Sequence, residues 1–434
     1  MRDLLVIAVV MVSLPVAITR PFVGVLVWSW LGFMSPHRLG WGLASSLELS
    51  MFVALATLVG LVLTNERRPV PRVRETYLLL AFWVMTLVSS YFAYNQEEVW
   101  ESFNRLTKIL VMLVVTIMLT QSRERLRTLL IVAAMSIGFY GVRGGIWALI
   151  TGGEQGYALG PDGSFIGDNN GLALALDMTL PILLFLALEE RGRLRVLLGM
   201  TAVLTFVTLP FTYSRGGALG LLVVLMMFAA RSRWKWAVIP AGVLAAFVVV
   251  SFLPMRWFDR MNTIAAYTED GSAMSRLHAW QIGWALAIDN PIVGGGYQVF
   301  PNRDIWIKYL PDMTWTKPQS AHSIYFQVLG EHGFVGFGLF IGVLVSTLLS
   351  LNAIRRRARR LPDGDWFRNY AYMVQTSILA FMAAGAFYNL AYFDLIYFLV
   401  AVTIIMKQLL ADRLAAAPAP EPEPAEIGPL GVTR

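Results

Sequence analysis

The chain has 434 residues, 57% of them hydrophobic and only 15% charged, where an average soluble domain carries about 45–50% and about 25%. So much apolar side chain exceeds what a water-soluble globule can hide, and it lies equally far from the low hydrophobicity of disordered chains. Cysteine is absent, which excludes disulfides, thiolate nucleophiles and cysteine-ligated metals.

The class that remains is an all-α polytopic membrane protein, and its elements can be read in order. A bilayer-spanning helix needs about 20 mostly apolar residues. The first 36 residues hold two short apolar runs divided by Thr19-Arg20-Pro21, which read as two short spans or one broken one. No small-residue cleavage site follows the first run, so it reads as a retained segment rather than a signal peptide. Further apolar stretches follow at 42–64, 76–94, 105–120, 128–150, 170–188, 196–213, 216–230, 236–253, 323–351, 370–388 and 391–407. The expected fold therefore has about 12 transmembrane helices, grouped as N-terminal helices at 1–127, central helices at 128–253 and C-terminal helices at 322–411. One long, partly helical loop at 254–321 separates the last two groups. A Pro/Ala/Glu-rich disordered tail at 412–434 is expected on the cytoplasmic side.

The net charge of +7 suggests nucleic acid only until its distribution is followed. About half of the 35 basic residues fall in five short connections around Arg67, Arg123, Arg191, Arg231 and Arg355. The alternating connections at 95–104 and 151–169 contain neither Lys nor Arg. Basic loops stay cytoplasmic, so the 254–321 loop is expected outside, in the periplasm of a Gram-negative cell. Within it, Met274–Ile288 and a weaker stretch at 255–268 look helical, and Asn290-Pro291 and Gly294-Gly295-Gly296 end the pattern. No binding of nucleic acid is expected.

Ionisable side chains at the edge of an apolar region are costly and usually functional. Arg143 stands about two turns from the outer end of its span, either snorkelling to the interface or serving a site. Arg215 lies in Tyr213-Ser214-Arg215-Gly216-Gly217, at a tight outer turn expected to be two residues long. A guanidinium there offers a planar fork of donors to phosphate oxygens. Arg276 sits in the external helix near Trp280 and Trp284, whose four-residue spacing puts both on one face, expected to rest in the membrane interface. Its side chain is either a solvated charge or part of a site. Among the four histidines, His322 opens the span at 323–351 and is either a general base or a structural cap. His37 reads as an interfacial turn residue, His278 as a neighbour of Arg276, and His332 as a polar packing partner. Asp168-Asn169-Asn170 reads first as a helix N-cap and second as a substrate contact. No HExxH, paired-histidine or paired-acidic motif supports a metal site, and Gly294-Gly295-Gly296 lacks the context of a phosphate loop.

These motifs in this order, with Asn290-Pro291, Gly294 and Tyr297, Ala321-His322-Ser323 with Tyr325, and Gly330-Glu331, Gly333 and Gly336, resemble the O-antigen ligase and polymerase superfamily of bacterial inner membranes. The ligase branch is the nearer match, over about residues 130–400, and the N-terminal third looks like the extended form of O-glycosylation ligases. The resemblance implies a metal-independent, inverting glycosyltransferase without cofactors, facing the periplasm. It implies a donor glycan on undecaprenyl diphosphate and a lipid A-core sugar as acceptor, with membrane lipids around both. Carried over by position, His322 matches the catalytic histidine. Arg215 and Arg276, and less closely Arg143, match the basic residues that bind the diphosphate. A polymerase, a ligase acting on protein, and a lipid-linked glycan flippase are the alternatives.

Overall fold

A computed structural model describes residues 2–40, 42, 44, 47–153, 156–231, 271–311 and 319–416. Among the described residues every regular element is helical. The first half comprises α1 (Arg2–Thr19), α2 (Pro21–Met34), α3 (Leu49–Leu63), α4 (Arg74–Tyr91), α5 (Val99–Leu119), α6 (Arg123–Thr151) and α7 (Asn169–Glu189). It continues with α8 (Gly192–Thr208), α9 (Arg215–Arg231), α10 (Gly271–Asp289), α11 (Arg303–Tyr309), α12 (Ile324–Arg357), α13 (Asp365–Ala384) and α14 (Asp394–Ala416). Six of these, α5, α6, α7, α12, α13 and α14, are long and apolar enough to cross a bilayer, while α1, α2 and α3 are shorter apolar helices. Leu4, Val12, Val62, Leu63, Leu149 and Ile150 are each more than 60% exposed. Such an apolar belt suits lipid and would be an aggregation surface in water.

The opening residues form two helices rather than one. Arg20 leaves helical geometry at φ −133°, and Pro21 begins α2 with its fixed backbone angle. The Asp3 carboxylate lies against Gly40 and Gly42, just beyond the end of α2, so α1 and α2 run antiparallel. At the other end Gly60 of α3 meets the carbonyls of Ala17 and Ile18, where a Cβ would come within 2.5 Å of backbone oxygen.

The basic connections gather at one end of the bundle. Arg125 pairs with Glu66 at 2.6 Å, Arg413 with Asp363 at 2.8 Å and Arg123 with Glu189 at 3.8 Å, and Arg127 with Glu190 and Arg68 with Asp412 extend the set. Single exposed pairs contribute little, but together they tie five helix ends to one plane. Nearly every side chain of α7 from Gly171 to Leu186 and of α14 from Asp394 to Met406 is buried, which makes these two the axial helices. Gly138, Gly141, Gly144 and Gly145 form a stripe on α6 where α8 lies so close that Cβ atoms would meet Thr201, Thr205, Thr208 and Leu204 within 2.1–2.7 Å. Thr208 Oγ1 donates across this seam to the Gly141 carbonyl at 2.6 Å.

Several sequence boundaries shift. The helix expected from 105 begins at Val99, inside the connection that lacks basic residues. α14 continues to Ala416, past the expected start of the tail at 412, and 417–434 lie outside the described residues, as do the run at 236–253 and the stretch at 255–268. The helix expected at Met274–Ile288 is α10.

Candidate functional site

Arg215, Arg276 and His322 all stand at the end opposite the basic network. Each is positioned by a different local device. Arg215 opens α9, and the turn before it is longer than two residues: α8 stops at Thr208, Pro210–Thr212 form a 3-10 turn, and Tyr213 takes a left-handed conformation at φ +54°. Ser214 caps α9 by accepting from the Gly217 amide at 3.1 Å and donates its hydroxyl to Asn170 Oδ1 at 2.8 Å. Asn169 Nδ2 donates to the Thr212 carbonyl at 2.8 Å.

Asp168 is the N-cap of α7, as its position suggested, accepting from the amides of Asn170 at 2.7 Å and Gly171 at 3.1 Å. Its other oxygen accepts from the Tyr388 hydroxyl. Burial and the neighbouring carboxylate push the Tyr388 hydroxyl well above its ordinary pKa, so it stays protonated and remains a donor. The Asp-Asn-Asn element therefore caps one helix and braces the turn that carries Arg215.

His322 precedes α12 and is itself left-handed, at φ +48°. A non-glycine residue held there costs of order 1–3 kcal/mol and persists only where its surroundings fix it. Trp280 supplies part of that fixing, donating Nε1–H to the Ala321 carbonyl at 3.1 Å and stacking on Phe326 with centroids 5.2 Å apart and planes at 9°. Ser275, beside Arg276, donates to Gln319 Oε1 at 2.6 Å. The same Trp280 ring meets Phe387 at 6.1 Å, and the Phe387 Cβ is 3.4 Å from where a Cβ on Gly216 would stand. One aromatic bridge thus links the helix of Arg276, the segment of His322 and the helix start of Arg215. Trp280 is accordingly part of the scaffold and not, as expected, an interface anchor alongside Trp284, which stays 52% exposed.

Arg143 is exposed on α6 beside Tyr140, one turn before Trp147, and the described contacts do not bring it into this chain. His332 is fully buried, with Nδ1 2.8 Å from Ser89 Oγ and Nε2 2.9 Å from the Tyr392 hydroxyl, as a packing partner should be. His278 remains partly buried on α10, and His37 lies in the 3-10 turn after α2.

The glycine motifs gain a physical meaning only in three dimensions. Gly333, at φ +63° and ψ −169°, kinks α12 in a region open essentially to glycine alone. The loop from Asn290 to Gly296 seats in the kink. Gly295 N–H donates to the Gly330 carbonyl, Gly296 N–H to that of Glu331 and Phe334 N–H to that of Pro291, all at 2.8 Å. Gly294 lies so close that a Cβ would stand 2.5 Å from the Gly333 nitrogen. This joint fixes the end of α10 on α12 about three turns below His322.

Sequence reading passed over several buried ionisable groups. Glu75 is fully buried, its Oε2 accepting from Lys407 at 2.7 Å and its Oε1 from Ser346 at 2.9 Å and Ser350 at 2.5 Å. Asp177 on α7 and Asp394 at the start of α14 are also buried. Asp177 and Asp394 are acidic residues within apolar runs, and that alone was a usable signal, whereas Glu75 stands beside Arg74 just ahead of the run at 76–94 and gave none. Among the described residues no cluster of three or more His, Asp or Glu is arranged to hold a metal ion.

Comparison with known families adds two matches. A family model described as O-antigen ligase matches residues 200–341, and one described only as a family of unknown function matches residues 1–191. No curated protein matches the chain. The first match runs from the second half of α8 through α9, α10 and α11 into the opening of α12, and so takes in α10 and α12, which Trp280 joins, and α9, which it reaches through Phe387. It supports O-antigen ligase/polymerase-type activity, with lipid-linked substrates in general.

Proposed function

From the chain's membership of the O-antigen ligase/polymerase superfamily, we propose that it is an inverting glycosyltransferase of the ligase type in a bacterial inner membrane. It moves a glycan from undecaprenyl diphosphate to a sugar hydroxyl of lipid A-core at the periplasmic face. The observation that carries this reading is the Trp280 bridge, which gathers the segments of Arg215, Arg276 and His322 at the end away from the basic loops.

The chemistry follows from charge. An acceptor hydroxyl attacks the anomeric carbon while the bond from that carbon to the diphosphate oxygen breaks, and the leaving group departs with the electron pair. His322 takes the hydroxyl proton as the nucleophile arrives from the opposite face, which inverts the anomeric centre. Arg215 and Arg276 receive the diphosphate, whose charge grows as the bond lengthens. Binding that growing charge more tightly than the ground state is what lowers the barrier. Two guanidiniums supply this without a metal. Asn169, Asn170 and Ser214 hold Arg215 in register, and α10 covers the site. Arg143, exposed away from the bridge, takes a secondary part by drawing the anionic donor to this face of the bundle.

The test is transfer by purified protein in liposomes supplied with lipid-linked glycan and lipid A-core, run with and without EDTA. Product that survives EDTA and disappears in His322→Ala and Arg215→Ala is expected. Undiminished product in either folded variant overturns the assigned roles. Elongated lipid-linked glycan in place of glycosylated lipid A-core assigns the chain to the polymerase branch.

A further inference from the structure

A groove of about 430 Å³ opens between α2, α3 and α5 at the same end of the bundle as the candidate site. Its long wall is apolar and faces lipid: Met51 and Leu55 on α3 and Val111 on α5 are each more than 40% exposed. Its mouth is cationic, lined by Arg38, Arg105 and Lys108. Arg38 presses its guanidinium against the backbone at Gly163, and Arg105 lies 5.4 Å over the Phe165 ring. Phe165 in turn meets Phe393 at 6.0 Å, beside Asp394. The present counter-charges are weak: Arg105 pairs with Glu101 at 3.2 Å and Lys108 with Glu48 at 3.9 Å, both exposed. An incoming phosphate can displace either carboxylate.

Asp394 closes the inner end, 8% exposed; the backbone amides of Asp394 and Leu395 turn toward its carboxyl at the start of α14, while its buried Oδ1 has no well-formed hydrogen bond among the described residues. A buried carboxyl oxygen without a donor is costly unless a ligand supplies one. The groove therefore combines an acyl-chain wall, a phosphate-binding rim and a deep acceptor for a hydroxyl or ammonium. The loop from Gly163 to Ile166 that forms one side of it runs straight into Asp168, Asn169 and Asn170, which brace Arg215.

We propose that this groove docks the anchor of the acceptor, a phosphorylated glycolipid whose acyl chains lie along α3 and α5. Its phosphates sit among Arg38, Arg105 and Lys108, and a sugar hydroxyl or amine reaches Asp394. This rests on the ligase reading and gives it a second lipid site, on the far side of the loop that supports Arg215. The two lipid-borne substrates then enter from different faces and meet above that loop. Charge complementarity selects the occupant by its number of phosphates: two phosphates on one sugar headgroup can engage all three rim cations, whereas a phospholipid with a hydroxyl or ammonium brings only one phosphate to them.

Native mass spectrometry of the full chain with lipid A, a bisphosphorylated acylated glucosamine disaccharide, tests this without requiring transfer. The wild type should retain lipid A in preference to phosphatidylglycerol and phosphatidylethanolamine. An Arg38→Ala, Arg105→Ala, Lys108→Ala variant should lose about tenfold or more of that retention, as expected for lost charge-assisted hydrogen bonds. Leu55→Trp, which fills the groove from an exposed position, should do the same, while His322→Ala should retain lipid A normally. In the transfer assay both groove variants should raise KM for lipid A-core by a similar factor and leave kcat at saturation unchanged. Equal retention of either phospholipid by the wild type overturns the proposal, as does unaltered retention in both groove variants. Groove-dependent retention by a protein that transfers nothing would keep this inference and defeat the ligase reading. Normal transfer with an unchanged KM in the groove variants would do the reverse.

Discussion

Replacing Gly333 by alanine tests the joint on which the arrangement of the site depends. At φ +63° and ψ −169° an L-residue is strained, at a cost of order 1–3 kcal/mol. Its Cβ would also stand 2.6 Å from the Pro291 carbonyl oxygen and 2.9 Å from that of Asn290, both backbone atoms that cannot step aside. Relief requires the 290–296 loop to lift, which breaks the bond from Phe334 N–H to Pro291 and loosens those to Gly330 and Glu331. With about 1 kcal/mol for each buried bond lost, the total is roughly 3–5 kcal/mol. Gly338 in the same helix provides the control, because a Cβ there meets nothing within 4 Å. Gly338→Ala should be neutral or gain up to about 1 kcal/mol from helix propensity. Unfolding in detergent reads the stability difference. Spin labels on cysteines introduced at Tyr91 and Ile292, both exposed, read the position of the loop against α4. The chain has no cysteine of its own, so labelling is confined to those sites. Gly333→Ala should unfold earlier, broaden the inter-label distance and reduce transfer. A Gly333→Ala protein that matches Gly338→Ala in all three would refute the reasoning.

Three further outcomes follow from particular contacts. Glu75→Ala takes the carboxylate partner from Lys407, whose side chain is 25% exposed, and from two buried serines and should cost about 1–3 kcal/mol of unfolding free energy. The double variant Glu75→Leu, Lys407→Met should recover most of that loss, and a double variant no better than the single would contradict the ion-pair account. Ser214→Ala removes both the cap of α9 and the brace to Asn170. About 1 kcal/mol of stability should go, and transfer should fall, with weaker donor binding seen as a raised KM for the lipid-linked glycan. Arg215→Lys keeps the charge but not the two-pronged geometry, so it should remain well below wild type in kcat; full activity would mean that position needs only a positive charge.

Hydropathy and charge were enough to establish what is local in this protein. A run of apolar residues makes a helix whatever its neighbours, because lipid leaves the backbone no other way to satisfy its hydrogen bonds. The helix expected outside the bilayer at Met274–Ile288 was legible from its pattern between breakers, the cap at Asp168 from the chemistry of a helix start, and the sorting of basic loops to one end from their charge. What stayed hidden is lateral. Which face of α12 receives the 290–296 loop, why Trp280 turns inward while Trp284 faces out, and that Glu75 meets Lys407 are matters of helix faces meeting across long stretches of chain. In a membrane such meetings are decided by close packing and by the pairing of polar groups, since the hydrophobic effect no longer distinguishes a helix face from lipid. For the same reason the sequence set Arg143 behind Arg215 and Arg276 only by a looser match, and it was the folded chain that separated the exposed arginine on α6 from the two whose segments converge on His322.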